Sequence, residues 1–235
     1  MMPESLRTLL ADVIDYAGLY PPAELPLSEV IANYRRYRVS PEAWMLNRLV
    51  LPVEKLHDVS LEENWCVTLL VSEEPGPLPC QVETLETKAG KRLSLPTYCE
   101  VPLDRVESGY AKIRTANISP EGLANFLCSA AERRMPFKAT AGLHHPIRST
   151  TMHGFVNLFV AATMAWLGMH HSILTELLNE TNPRAFEFRD EELRWRDCRA
   201  STEQLAQARH DFAHSFGSCS FEEPVSDLRA LGLLP

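Results

Sequence analysis

The chain has 235 residues, of which 45% are hydrophobic and 23% are charged, and its formal net charge is -8. These values are ordinary for a globular protein, and the length suits one large α/β domain. The acidic balance argues against a nucleic-acid partner, which calls for a basic surface, and against docking on an anionic membrane.

The N-terminal region is predicted to be helical. Apolar residues recur at helical spacing from Ser5 to Tyr16, and Gly18 followed by Pro21-Pro22 ends this helix. A second helix is predicted from Ser28 to Arg38, with Ser28 as its N-cap. We therefore expect a helical segment over residues 4–39 that packs on the rest of the domain.

The middle of the chain has the pattern of a parallel sheet. Ser119-Pro120-Glu121 is an N-cap, a proline at the first helical position and an acid in the first turn, and this predicts a helix to about Arg134. Strands flank that helix, as in a βαβ unit. The short apolar runs predicted to be strands are Trp44–Leu51, Trp65–Val71, Gln81–Thr87, Thr97–Val101, Tyr110–Thr115 and Phe137–Leu143.

The last third of the chain returns to helices. A long helical region with a break near Gly168 is predicted from Thr151 to Asn179, and its apolar first half reads as a buried helix too short to span a bilayer comfortably. The remaining predicted elements are a hairpin or irregular strand over Phe186–Trp195, a helix over Ser201–His214, a strand over Ser215–Phe221 and a helix over Val225–Leu231.

These elements predict a single α/β domain over residues 1–235. At least two of the links between strands are too short for a helix, whereas a regular (β/α)8 barrel places a helix after every strand. The fold is therefore predicted to be a distorted or incomplete (β/α)8 barrel, with an open α/β sheet as the alternative.

Lysines on two neighbouring strands are the strongest candidates for chemistry. Because strand residues alternate between faces, Lys138, Thr140 and His144 share one face, and Lys112 and Arg114 share one face of the preceding strand. A lysine inside a central strand needs a partner, because burying an unpaired ammonium is costly.

Such a cluster of cations suits an anionic substrate. The upstream strands offer Glu83, Glu86 and Glu100 as counter-charges, with Glu100 as a candidate catalytic acid or base. The alternative is a buried salt-bridge network that only fills the barrel interior.

Three histidines follow the Lys138 strand. His144 and His145 are predicted to move protons, and His153 to bind substrate. Their spacing matches no metal motif, so a metal would need a carboxylate from elsewhere, such as Glu100 or Asp15. The third possibility is structural capping around Pro146.

Two further segments are candidates for the site. Ser218 and Cys219 lie at the end of the last predicted strand, where small residues let a ligand approach the backbone. Asp15, at the end of the first predicted helix, begins the loop through Pro22 that could cover one end of a barrel. The six cysteines include no pair at C-x-x-C spacing, so no zinc ribbon or redox dithiol is predicted.

Two resemblances add to this pattern. The phrases DYAGLYPP (15–22), KIRT (112–115), FKATAGLHHP (137–146), MHGFVN (152–157) and FGSCSFEEP (216–224) resemble a family of uncharacterised bacterial α/β proteins with no known activity. Residues 137–142 also resemble the Schiff-base strand of class I deoxyribose-phosphate-type aldolases, which are barrels. That resemblance implies that Lys138 is the amine nucleophile and Lys112 a second cation beside it.

Three functions are left open by the sequence. The first is a lyase or isomerase that acts on an anionic or carbonyl-bearing small molecule, with Lys112, Arg114, Lys138 and Thr140 at the strand C-termini. The second is a metal-dependent hydrolase or isomerase, and the third is a binding protein without turnover. No cofactor and no oligomeric state are predicted. Scattered free thiols and the lack of an evident signal peptide favour a cytoplasmic location.

Overall fold

The computed structural model describes residues 2–235 and contains a closed barrel of eight parallel strands. The barrel strands are β1 (Ile14–Tyr16), β2 (Leu46–Pro52), β3 (Val67–Leu70), β4 (Val82–Thr87), β5 (Thr97–Cys99), β6 (Tyr110–Arg114), β7 (Phe137–Thr140) and β11 (Ala213–Ser218). They follow one another around the barrel in chain order, and β11 closes it against β1. The TIM-like (β/α)8 class predicted from the sequence is confirmed, and the open-sheet alternative is wrong.

The helices cover one half of the barrel. They are α1 (Glu4–Leu10), α2 (Leu27–Arg38), α3 (Pro120–Glu132), α4 (Phe155–Trp166), α5 (His171–Leu178), α6 (Thr202–Asp211) and α7 (Glu222–Ala230). Between α5 and α6 lies a small antiparallel sheet of β8 (Phe186–Phe188), β9 (Glu192–Trp195) and β10 (Cys198–Ser201). From β2 to β6 the described links hold only loops and the 3-10 turns Val53–Asp58 and Leu103–Arg105. The barrel is therefore incomplete in its helical layer, as the short links predicted.

The first predicted helix is wrong in its second half. It ends at Leu10, and Ile14–Tyr16 instead forms β1, which pairs with β11 on one side and β2 on the other. A short strand that is buried on both faces carries a nearly continuous apolar run, which has the same appearance as a helical stripe. The predicted helical segment over residues 4–39 is thus helix, strand and helix, and its strand is part of the barrel.

Other element ends differ by a few residues. Ser28 is not the N-cap of α2, because the cap position is Pro26. The strand predicted to reach Leu143 ends at Thr140, because Ala141 and Gly142 take the left-handed backbone conformation. The helix predicted to reach His214 ends at Asp211, and the final strand begins at Ala213. The break near Gly168 and the hairpin within Phe186–Trp195 are present.

The apolar core lies between the barrel and its helices. Phe137 and Ala139 of β7 are buried on the outer face of the barrel, and the ring of Phe216 stacks on that of Phe155 with centroids 5.0 Å apart. α4 is apolar almost all round and buried over nearly its whole length, as the sequence indicated. In residues 2–235 no helix is long and apolar enough to cross a membrane.

The inside of the barrel is polar. The hydroxyls of Thr68 and Thr84 lie 2.7 Å apart on neighbouring strands, and both side chains are buried. At the N-terminal end of the barrel, the Tyr98 hydroxyl donates to His214 Nδ1 at 2.7 Å, while His214 Nε2 donates to the carbonyl of His210 at 3.1 Å. Burial, together with the charge of Arg209, lowers the pKa of His214 to about 4. The neutral imidazole therefore satisfies both hydrogen bonds.

This depressed pKa predicts a loss of stability in mild acid. The contribution of neutral His214 is fully present above its ordinary pKa of 6.5 and is lost as the pH falls toward about 4, because the unfolded chain binds the proton more readily. Urea unfolding at pH 7.0, 5.5 and 4.5 should show a fall in the free energy of unfolding that is smaller in His214→Gln, whose amide does not titrate. His210→Gln, at an exposed histidine, should retain the wild-type fall. Identical pH profiles for His214→Gln and wild type would contradict the assignment.

Candidate functional site

A cavity of about 320 Å³ opens at the C-terminal ends of the barrel strands. Strand ends converge there because all eight strands run in the same direction, which is why barrel enzymes have their sites at this face. Seven of the predicted site residues line the cavity: Glu100, Lys112, Arg114, Lys138, Thr140, His144 and, from the segment after β11, Cys219.

Lys138 forms the floor of this cavity and is 1% exposed. Its ammonium donates to both Asp15 Oδ2 and Glu86 Oε1. Asp15 is held in turn by the Ser215 hydroxyl at 2.7 Å and by the backbone N–H of Arg48 at 3.2 Å. A buried lysine with two carboxylate partners satisfies the requirement that buried charges be paired.

Lys112 lies beside Lys138, because the two residues are register partners on β6 and β7. Lys112 Nζ lies 2.7 Å from Glu86 Oε2 and 2.6 Å from Glu100 Oε2. Glu86 thus bridges the two lysines with its two oxygens. Glu100 extends the network to Arg114, whose Nη1 lies 3.6 Å from Glu100 Oε1.

The two central groups are both held in their charged forms. For Lys138, burial favours the neutral amine, but the charges of Asp15 and Glu86 outweigh it and raise the pKa above its ordinary value. For Glu86, burial favours the protonated acid, but Lys138 and Lys112 outweigh it and lower the pKa to about 2. Lys138 is therefore a fixed cation and Glu86 a fixed anion near neutral pH.

A second layer of side chains forms the mouth of the cavity. Lys88 and Arg114 follow Glu86 and Lys112 by two positions, so each stands on the same side of its strand, roughly 6.6 Å nearer the opening. Both are exposed, and Lys88 forms no ion pair with any residue from 2 to 235. Thr140 is the register partner of Arg114 on β7. The mouth therefore presents two cations to an entering ligand.

The chain turns sharply away from β7 at Gly142. Its φ is +81°, and a Cβ atom there would lie 3.1 Å from the backbone of Ala116. Only glycine combines this conformation with so close an approach at low cost. The turn directs His144 back to the cavity wall, where it remains a cavity residue although β7 has ended.

Two of the three predicted histidines do not reach the cavity. His145 is 2.6 Å from Asp227 on α7, and His144 itself is 3.1 Å from Glu223 on the same helix. His153 donates from Nε2 to the carbonyl of Ile118 at 2.9 Å, and burial lowers its pKa. His145 and His153 thus anchor the segment after β7, which is the structural role that the sequence left as an alternative.

The end of β11 contributes one of its two predicted residues. Cys219 lines the cavity, and burial raises the pKa of its thiol, which disfavours the nucleophilic thiolate. Ser218 is outside the cavity lining and donates to the carbonyl of Ser220 at 2.6 Å. This hydroxyl shapes the turn into α7.

Sequence reasoning missed two partners of Lys138. The sequence pattern places Asp15 at a helix end, away from Lys138. It also gives no role to Tyr98, whose ring centroid lies 5.5 Å from Lys138 Nζ. The available signal for Asp15 was an ionisable residue in the middle of the short apolar run Val13–Tyr16, the pattern that had singled out Lys138.

The candidate metal ligands named from the sequence are not assembled. Within residues 2–235 no group of three or more His, Cys, Asp or Glu side chains is arranged to hold a metal ion. The carboxylates Asp15, Glu86 and Glu100 are arranged around lysines, while His144 and His145 are paired with α7. No observation therefore favours the metal-dependent alternative.

Removing the central cation should destabilise the protein strongly. Lys138→Met leaves Asp15 and Glu86 as neighbouring buried carboxylates, and we expect it to lower the free energy of unfolding by about 3–5 kcal/mol. The triple variant Lys138→Met, Asp15→Asn, Glu86→Gln removes the charges together and should recover part of this loss. Urea unfolding followed by tryptophan fluorescence measures both. A loss below about 1 kcal/mol, the magnitude of a solvated surface pair, would show that the network is not buried as described.

Comparisons with protein-family models, with curated proteins and with solved structures found no match to this chain. The two resemblances noted in the sequence therefore remain expectations. The barrel and the arrangement of Lys112, Lys138 and their carboxylates are the features that bear on function.

Proposed function

We propose that the protein is a lyase or isomerase of small carbonyl compounds and that Lys112 forms a Schiff base with its substrate. The single observation that supports this most is the pair of adjacent lysines bridged by Glu86 at the floor of a cavity at the strand C-termini. An iminium formed on a lysine withdraws electrons from the neighbouring carbon, so that a C–C or C–H bond there breaks more easily.

Lys112 is better placed than Lys138 to act as the nucleophile, because the two lysines differ in the exposure of their carboxylate partners. A lysine attacks a carbonyl only as a neutral amine, whereas Lys138 is held as an ammonium between two buried carboxylates. Lys112 has the partly exposed Glu100 as one of its partners, so a ligand can replace that contact. This reverses the roles implied by the resemblance to the aldolase strand, in which Lys138 was the nucleophile and Lys112 the accompanying cation.

Glu100 is the proton acceptor in this proposal. Its Oε2 lies 2.6 Å from Lys112 Nζ, within hydrogen-bond reach of the proton that must leave before the amine attacks. The other partner of Lys112, Glu86, has a pKa of about 2 and is a poor base near neutral pH. When water leaves during iminium formation, Glu100 returns the proton.

In this proposal the cations of the site bind the substrate and orient its carbonyl group. Lys138 places a fixed positive charge beside the reacting amine, where it stabilises negative charge that develops on the carbonyl oxygen. Arg114 and Lys88 at the mouth suit a carboxylate or phosphate on the same molecule. Thr140 offers a hydroxyl at the level of Arg114.

Reductive trapping tests the proposal directly. The protein is incubated with pyruvate or glycolaldehyde and then with sodium cyanoborohydride, and peptide mass spectrometry locates the secondary amine. We expect the adduct on Lys112 in wild-type protein and its loss in Lys112→Arg. In Glu100→Gln we expect the adduct to form roughly a hundredfold more slowly, which is the lower end of the range for loss of a general base.

Lys91, an exposed lysine outside the cavity lining, provides the matched control. Lys91→Arg should trap ligand at the wild-type rate. An adduct on Lys138 in place of Lys112 would restore the roles implied by the aldolase-like strand. Adducts spread over surface lysines, or none, would reject Schiff-base chemistry and leave the binding protein without turnover as the better description.

A further inference from the structure

A second cavity of about 560 Å³ adjoins the first at the same face of the barrel. Its shared wall consists of the five residues Leu70, Glu86, Lys88, Glu100 and Lys112, which line both cavities. Lys138 lines only the first. Lys112 therefore stands at the junction of two spaces, and a molecule bonded to its Nζ has two directions in which to extend.

The second cavity lies on the side of the barrel that has no helices between its strands. It lies over the ends of β2, β3 and β4, and the described links after these strands are loops and one 3-10 turn. We call it the apolar lobe, because away from the shared wall it is lined by Pro52, Val71 and Ala89 together with Thr87. Glu54 and Ser72 lie at its exposed edge.

The two cavities differ in the chemistry they offer. The first holds the ionised network of Lys138, Asp15 and Glu86 and opens between cations. The lobe presents no cation other than the shared Lys88 and Lys112. Polar and apolar parts of one ligand therefore have separate places on either side of Lys112, as is usual for small-molecule sites that combine apolar walls with a few polar groups.

We propose that the apolar lobe is a binding site for an aliphatic chain, and that the ligand is a carbonyl compound whose chain extends from the carbonyl carbon into the lobe. The anionic or hydroxylated end of the same ligand lies in the first cavity. The proposal rests on the function proposed for Lys112 and specifies the class of its substrate.

The proposal is tested by measuring how trapping on Lys112 depends on the length of the ligand's aliphatic chain. Straight-chain α-keto acids from pyruvate through α-ketobutyrate and α-ketovalerate to α-ketocaproate add one methylene at a time, and the concentration for half-maximal trapping on Lys112 should fall by roughly threefold to fourfold per methylene. Ala89→Phe fills the lobe and should abolish this dependence on chain length. Ser72→Phe, at the exposed edge, provides a second filling variant that places less demand on the fold. Ala230→Phe adds the same side chain at an exposed position of α7 outside both cavities and should leave the series unchanged.

Calorimetric titration with unreactive carboxylates of the same lengths, from propionate to hexanoate, separates the two proposals. Length-dependent binding that Ala89→Phe and Ser72→Phe remove, without any trapping, supports the lobe and rejects the Schiff base. Trapping that is independent of chain length in wild-type protein supports the Schiff base and overturns the lobe. Length dependence that persists in both filling variants also overturns it, because the chain then binds elsewhere.

Discussion

The ion network around Lys138 is the constraint on which the rest of this structure depends. A fully buried ammonium requires anions from other parts of the chain, and it obtains them from β1 and β4, which are far from β7 in sequence. Those contacts join strands that are not neighbours in the barrel. An apolar interior would be filled by interdigitating aliphatic side chains. Here charge pairing sets the positions instead, and the apolar core lies outside the barrel, against α3 to α6.

The helical layer is uneven, and this leaves one side of the site covered and the other side open. Helices follow β1, β6, β7 and β11, which are neighbours in the closed barrel, while the strands from β2 to β5 are linked by shorter segments. The covered half carries the apolar helix α4, and β7 with its lysine belongs to this half. The uncovered half leaves space above the strand ends, and the apolar lobe occupies that space. One half of the barrel is thus covered by helices, and the other half is open above its strand ends.

Polar contacts continue through the barrel from one end to the other. The ring of Tyr98 faces Lys138, and its hydroxyl donates to His214 at the N-terminal opening. Tyr98 therefore connects the floor of the site to a buried neutral histidine. Substitutions at either residue alter the surroundings of Lys138 without contacting a ligand in the cavity, because the tyrosine ring lies beneath the ammonium.

The sequence by itself determined whether a segment is a strand or a helix wherever its residue pattern fits only one of the two. Lysines alternating with apolar residues identified β6 and β7 as strands with a polar face, and links too short for helices predicted an incomplete barrel. Both results are local, because they depend on spacing along one segment. The sequence also named Lys112, Arg114, Lys138, Glu100 and Thr140 as one group, since parallel neighbours bring equivalent faces together.

The tertiary structure decided the features that depend on contacts between distant segments, because the spacing of residues along one segment carries no information about them. Ile14–Tyr16 is a strand because β2 and β11 lie on its two sides, although its apolar run continues a helical stripe. That pairing turns Asp15 into the barrel, and the closure of eight strands brings Glu86 to a position between two lysines. These distant partners hold Lys138 as a cation. Electrostatic interactions depend on distance in space, and the fold sets that distance without regard to separation along the chain.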